Sequence, residues 1–125
     1  MTVLDSSVWL QFLKGGPLLP RVRPHIRDPR ILVPTVVLYE VFKVLCRDVS
    51  PEAAREAIGS LKEQEVVALD ERLALQAADV SLTLRLSMAD AIVYATAQVY
   101  DASLVTCDKH FAGLPGVEYI EPEGD

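Results

Sequence analysis

The feature of this chain that most narrows its fold is an alternation of short apolar runs with longer helix-like segments. Apolar runs fall at residues 1–4, 30–33, 65–69, 103–106 and 117–120. Each is about strand length, and helix punctuation lies between them. Ser6 or Ser7 caps a helix through Phe12, which Gly15, Gly16 and Pro17 stop. Residues 18–27 read as a second, irregular helix carrying basic side chains and interrupted by Pro20 and Pro24. After Pro34, Thr35 caps a long helix to about Arg47. Ser50, Pro51 and Glu52 open the next, to about Lys62. Asp70 caps residues 71–84, and Ser87 opens a helix to Tyr100, with Asp90 in its first turn. Residues 113–116 form a turn, and the acidic tail 121–125 is expected to fray. Strands alternating with helices predict an α/β fold with a mainly parallel sheet and right-handed crossovers.

Four acids stand at the seams of this alternation. Asp5 ends the first strand in TVLDSSVWL, and Asp108 follows the fourth in SLVTCDKHF. Glu40 interrupts the apolar stretch VVLYEVF, and Asp90 sits in the first turn of the nearly all-apolar LSMADAIVYATA. In an open parallel sheet, ligands bind outside the carboxyl ends of the strands, where these acids are expected to meet. Two unit charges about 5 Å apart repel by roughly 3 kcal/mol at an effective dielectric near 20. Such a group therefore persists only if it is well solvated, partly protonated or metal-bound. Each acid also has a plain structural reading: Asp5 and Asp90 as helix caps, Asp108 as a turn residue, and Glu40 as a surface acid paired with Lys43.

The 125 residues fit one domain, 1–125, with 50% apolar and 24% charged residues. No apolar run reaches membrane-spanning length, and the N-terminal segment lacks a basic region before its apolar run. Cys46 and Cys107 are too few and too far apart for a disulfide framework or a zinc site, so a reduced, cytoplasmic protein is expected. The net charge of −6 is unevenly spread: residues 1–50 carry +3 and residues 51–125 carry −9. A basic stretch beside an acidic pocket suits a metal-dependent phosphodiesterase, although residues 21–30 also read as a merely solvated helix and loop. His25 and His110 read as surface or packing residues, Trp9 and Phe12 as packing residues. The apolar helix after Asp90 needs cover on more than one side, which points to a homodimer.

In this order, LDSS, PTVVLYE, SMADAIVYATA and LVTCDKHF resemble the acidic motifs of PIN domains, above all the single-domain VapC-type toxins of toxin–antitoxin pairs. The resemblance spans nearly the whole chain and is most specific in the last two motifs. It implies a three-layer α/β/α sandwich with a five-stranded parallel sheet, and an endoribonuclease dependent on Mg²⁺ or Mn²⁺. By position, Asp5, Glu40, Asp90 and Asp108 would bind the metal and carry catalysis, with Ser6 and Thr106 as supporting hydroxyls. Lys14, Arg21, Arg23 and Arg27 are candidates for RNA phosphate contact. It also implies a cognate antitoxin protein as partner and a homodimer. Two departures stand out: Arg85 and Leu86 precede Ser87 where the family often has Gly, and Cys107 replaces a commonly polar residue.

Oxygen ligands without a His/Cys cluster favour Mg²⁺ or Mn²⁺ over Zn²⁺. Hydrolysis by water would leave a 5′-phosphate and a 3′-hydroxyl. A catalytically silent PIN-fold module binding RNA or protein is the main alternative. A receiver-like phosphoacceptor would need paired acids after the first strand, and a dehalogenase-type phosphatase an Asp-x-Asp; Asp5-Ser6-Ser7 supplies neither.

Overall fold

The computed structural model describes residues 1–122. Its strands are β1 (Thr2–Leu4), β2 (Ile31–Pro34), β3 (Glu65–Val67), β4 (Ser103–Thr106) and β5 (Val117–Tyr119). They form one sheet in the order β3-β2-β1-β4-β5, and every neighbouring pair is parallel. The helices are α1 (Ser6–Lys14), α2 (Leu19–Ile26), α3 (Thr35–Asp48), α4 (Pro51–Leu61), α5 (Glu71–Leu84) and α6 (Met88–Tyr100). The chain steps outward from β1 to β3, then returns across the sheet to β4. Crossovers between parallel strands are right-handed as a rule, so the outward steps through α1–α4 and the return through α5–α6 cover opposite faces, giving the three expected layers. The expected fraying of the tail concerns residues 123–125, which lie outside the described residues.

The central strands read as continuous apolar runs because both of their faces are covered. Val3, Leu4, Leu32 and Val33 are fully buried, and Leu104 and Val105 nearly so. In α6, Ala91 through Ala97 are buried without a break. That helix lies over β1, β2 and β4 with α5 packed along it. Its own chain therefore covers the surface that seemed to call for a second copy, because α5 and the sheet enclose it together.

Several helix ends differ from expectation. Asp5, not Ser6 or Ser7, is the N-cap of α1; it is extended (φ −77°, ψ 177°) and its carboxylate accepts from the Val8 N–H. Thr35 is already helical, and the extended Pro34 precedes it. The Thr35 hydroxyl instead accepts from the Leu69 N–H at 3.3 Å, tying α3 to the loop after β3. Ser50 and Asp70 cap as the sequence indicates, accepting from Ala53 and Leu73. Strand β3 ends at Val67, two residues early, since Asp70 must turn out of the sheet to cap α5. Arg85 closes α5 in the left-handed region (φ 58°), a position that suits glycine.

Candidate active site

The strand order reverses between β1 and β4, so the crevice at their carboxyl ends is the switch point where ligands bind in such sheets. Asp5 leaves β1 there, and Asp108 leaves β4 two residues after Thr106. Asp90 enters from the first turn of α6 and Glu40 from the second turn of α3.

Asp5 is the best anchored of the four and is only 5% exposed. Oδ1 accepts from Ser7 Oγ at 2.5 Å and from the Val8 N–H at 3.2 Å; Oδ2 accepts from Thr106 Oγ1 at 2.6 Å. Burial nevertheless pushes its pKa up to about 6; these hydrogen bonds pull the other way, and the charge of Asp108 adds to the rise. Of the three ways to tolerate the acid group, full solvation is thus closed to Asp5; partial protonation or a bound cation remain.

The other acids are half-buried. Glu40 is raised by burial, with the nearby Ser6 hydroxyl opposing, and then by the charges of Asp90 and Asp108, against that of Lys43. Asp90 is raised by burial and then by Asp108. The charge of Asp108 therefore acts on the other three, and that of Asp90 also acts on Glu40. Among the described residues, no Lys or Arg makes an ion pair with any of them.

At short range the four do not all meet. The tightest group is Asp90, Asp108 and His110, which offer one ligand atom each within 4.8 Å of one another. His110 Nδ1 is 3.1 Å from Asp108 Oδ1 and 3.8 Å from Asp90 Oδ2. The sequence reading took His110 for a surface or packing residue. It is exposed, but a 3₁₀ turn at Lys109–Phe111, capped by the Asp108 carboxylate, brings its ring back onto the acids. The spacing D-x-H after a strand was the available signal.

The hydroxyls are arranged differently from expectation too. Thr106 is fully buried; it donates to Asp5 and accepts from the Asp108 N–H at 2.9 Å, linking the two acids. Ser7, which the sequence reading took only for a possible helix cap, donates to Asp5 and accepts from the Cys107 N–H at 2.9 Å. Ser6 lies near Glu40 instead and favours its charged form. Cys46 and Cys107 are free, and burial pushes the Cys107 thiol up to about 11, which keeps it un-ionised.

The basic candidates separate along the fold. Arg21 is closest to the crevice: its guanidinium donates to the Glu121 carbonyl just past β5, and its charge acts on Cys107. Arg27 is at the opposite, amino end of the sheet, since its neighbour Asp28 accepts from Thr2 Oγ1, at the start of β1. Lys14, at the far end of α1, pairs with Asp48 at 3.3 Å. Arg23 is exposed on α2 between these extremes. The sequence could not separate them because Pro20 and Pro24 obscure how α2 runs across the sheet.

A parallel α/β sheet with carboxylates gathered at its switch point defines a class of fold with a cation-attracting crevice. The chain belongs to the PIN-domain family, whose model matches residues 2–117. In fold it is similar to the Mycobacterium tuberculosis toxin VapC20, described as cleaving the sarcin–ricin loop, at a TM-score of 0.80 and 19% identity, covering 94% of this chain and 98% of that one. It is likewise similar to a chain of a toxin–antitoxin complex from Klebsiella pneumoniae (TM-score 0.79, 20% identity, 94% and 96% covered). A third likeness is to a chain of DNA-bound VapBC from Salmonella typhimurium (TM-score 0.75, 19% identity, 95% and 96% covered). No curated protein matches the chain significantly. Among the described residues, no helix is long and apolar enough to cross a membrane.

Proposed function

We propose that this chain is a single-domain, metal-dependent endoribonuclease, the toxin of a toxin–antitoxin pair acting in the cytoplasm. The observation that supports this most is the group of carboxylates at the switch point with no Lys or Arg ion pair among the described residues, three of which have raised pKa values. The donor set of Asp5, Glu40, Asp90 and Asp108 fits a hard divalent ion, Mg²⁺ or Mn²⁺. When bound, such an ion activates water and stabilises charge on a phosphodiester. Asp90 and Asp108 would hold it from the open side, and Glu40 would orient the water. Asp5, fixed by Ser7 and Thr106, would set the position of Asp108 through the shared Thr106 hydroxyl and complete the negative field. Arg21, and more distantly Arg23, would steady the RNA backbone.

Two exposed apolar regions support partners. Leu75, Leu82 and Met88 stand out on α5 and the start of α6, where a second copy would pack to give the homodimer. Phe12, Tyr39, Phe42 and Val49, on α1 and at α3, are a separate exposed set suited to the antitoxin. The test is cleavage of a mixed RNA pool, transfer RNA included, by antitoxin-free protein with Mg²⁺, Mn²⁺ or EDTA. The expected result is cutting that requires the ion and disappears in Asp90→Asn. Specific RNA binding by wild type with no cutting under any condition would instead favour the silent binding module.

A further inference from the structure

We propose that His110 is a nitrogen ligand of the ion held by Asp90 and Asp108, and that it tilts the site toward a first-row transition ion such as Mn²⁺ over Mg²⁺. The inference rests on the reading of the acid group as a metal site and adds to it a residue outside the four carboxylates. Bonds of about 2.1 Å to a shared ion put adjacent ligand atoms about 3.0 Å apart and opposite ones about 4.2 Å apart. The spacings from His110 Nδ1, 3.1 Å to Asp108 and 3.8 Å to Asp90, fall within that span.

The local fold explains why the ring is there. Phe111 is fully buried and anchors the 3₁₀ turn, and the Asp108 carboxylate accepts from the His110 N–H at 2.9 Å. Backbone and carboxylate together hold the imidazole over the crevice mouth, although its side chain is 68% exposed. A competing role exists at the same distance: Nδ1–H donating to Asp108 merely to orient it. The two roles differ in what the ion touches. Mg²⁺ prefers an all-oxygen shell, whereas imidazole nitrogen favours later divalent ions. A ligating His110 therefore matters to Mn²⁺ more than to Mg²⁺; an orienting one matters to both alike.

The experiment is Mn²⁺ and Mg²⁺ calorimetry at pH 8 with pulsed EPR of the Mn²⁺-loaded protein, prepared without purification histidines. Wild type should show ¹⁴N modulation from a bound imidazole. His25→Ala should keep it, because His25 pairs with Glu118 on β5, away from the acids. His110→Ala should lose it and weaken Mn²⁺ binding about 10- to 100-fold, with Mg²⁺ changed less than about threefold. Mn²⁺ bound by wild type without ¹⁴N modulation, or equal losses for both ions in His110→Ala, would overturn the assignment while leaving the carboxylate site standing. Failure of wild type to bind either ion would overturn both.

Discussion

The two ends of the parallel sheet treat their acids in opposite ways. At the amino end, Asp28 accepts from Thr2 Oγ1 at 2.7 Å and from the Arg30 N–H at 2.8 Å, and its pKa is lowered by these bonds. Beside it, Arg30 reaches Glu65 with two bonds of 3.1 and 3.2 Å. At the carboxyl end, Asp5, Glu40 and Asp90 are raised by burial, and an exposed imidazole is the nearest basic group to Asp90 and Asp108. Acids at the amino end are matched by donors within the chain, so they serve the fold. Those at the carboxyl end have no Lys or Arg ion pair among the described residues, at a cost to stability, and under the proposed function a bound ion offsets that imbalance.

The contrast predicts its largest effect on activity. Asp90→Asn should reduce RNA cleavage by about a thousandfold or more, the loss of several kcal/mol of transition-state stabilisation. Glu65→Gln at the other end should leave cleavage within about twofold and lower stability by no more than about 1 kcal/mol, because its ion pair with Arg30 is exposed. Equal effects of the two substitutions on cleavage would break the comparison.

Next in size is a pH effect on stability in metal-free protein. The folded-state pKa of Asp5 is raised from 3.8 to about 6, so the stability it contributes is present below pH 4 and lost as pH rises through 6. A two-unit shift corresponds to about 3 kcal/mol. The lowered acids Asp28 and Asp48 act in the opposite sense at lower pH, outside the window from 5 to 7. Urea denaturation should thus give a lower midpoint at pH 7 than at pH 5, with Mn²⁺ restoring it and Asp5→Asn flattening the profile. A midpoint that rises with pH across that window would contradict the assignment.

Ser7→Ala tests the support beneath Asp5. It removes a donor to the carboxylate and the acceptor of the Cys107 N–H, and should lower cleavage about 10- to 100-fold with the fold intact by circular dichroism. Smallest is Arg85→Gly, at the same end but outside the acid group. It relieves a left-handed residue, a conformation costing roughly 1–2 kcal/mol, offset in part by the unfolded-state entropy of glycine. A gain of up to about 1 kcal/mol in stability, with cleavage unchanged, is expected from chemical denaturation.

The alternation of strands and helices was legible because β-strand runs such as TVL and ILV are short, apolar and followed at once by caps or turns. Asp5 and Asp108 were legible as site candidates for the same reason: a charge directly after a buried strand has few places to go. What pattern could not carry was tertiary. Ser6 and Ser7 look interchangeable in sequence, yet the turn out of β1 gives Ser7 to Asp5 and Ser6 to Glu40. Thr35 looks like a cap, but the loop after β3 claims its hydroxyl. His110 looks peripheral until the 3₁₀ turn folds it over the acids. The apolar helix α6 seemed to demand a second copy only because α5 had not yet been placed along it.

The central claim, that the carboxyl-end acids bind a divalent ion to cut RNA, is tested most directly by the chemistry of the cut ends. RNA incubated with Mn²⁺ and wild type should acquire 5′-phosphate and 3′-hydroxyl termini, with none formed by Asp108→Asn or in EDTA. Products ending in 2′,3′-cyclic phosphate, or wild-type cutting that persists in EDTA, would contradict it.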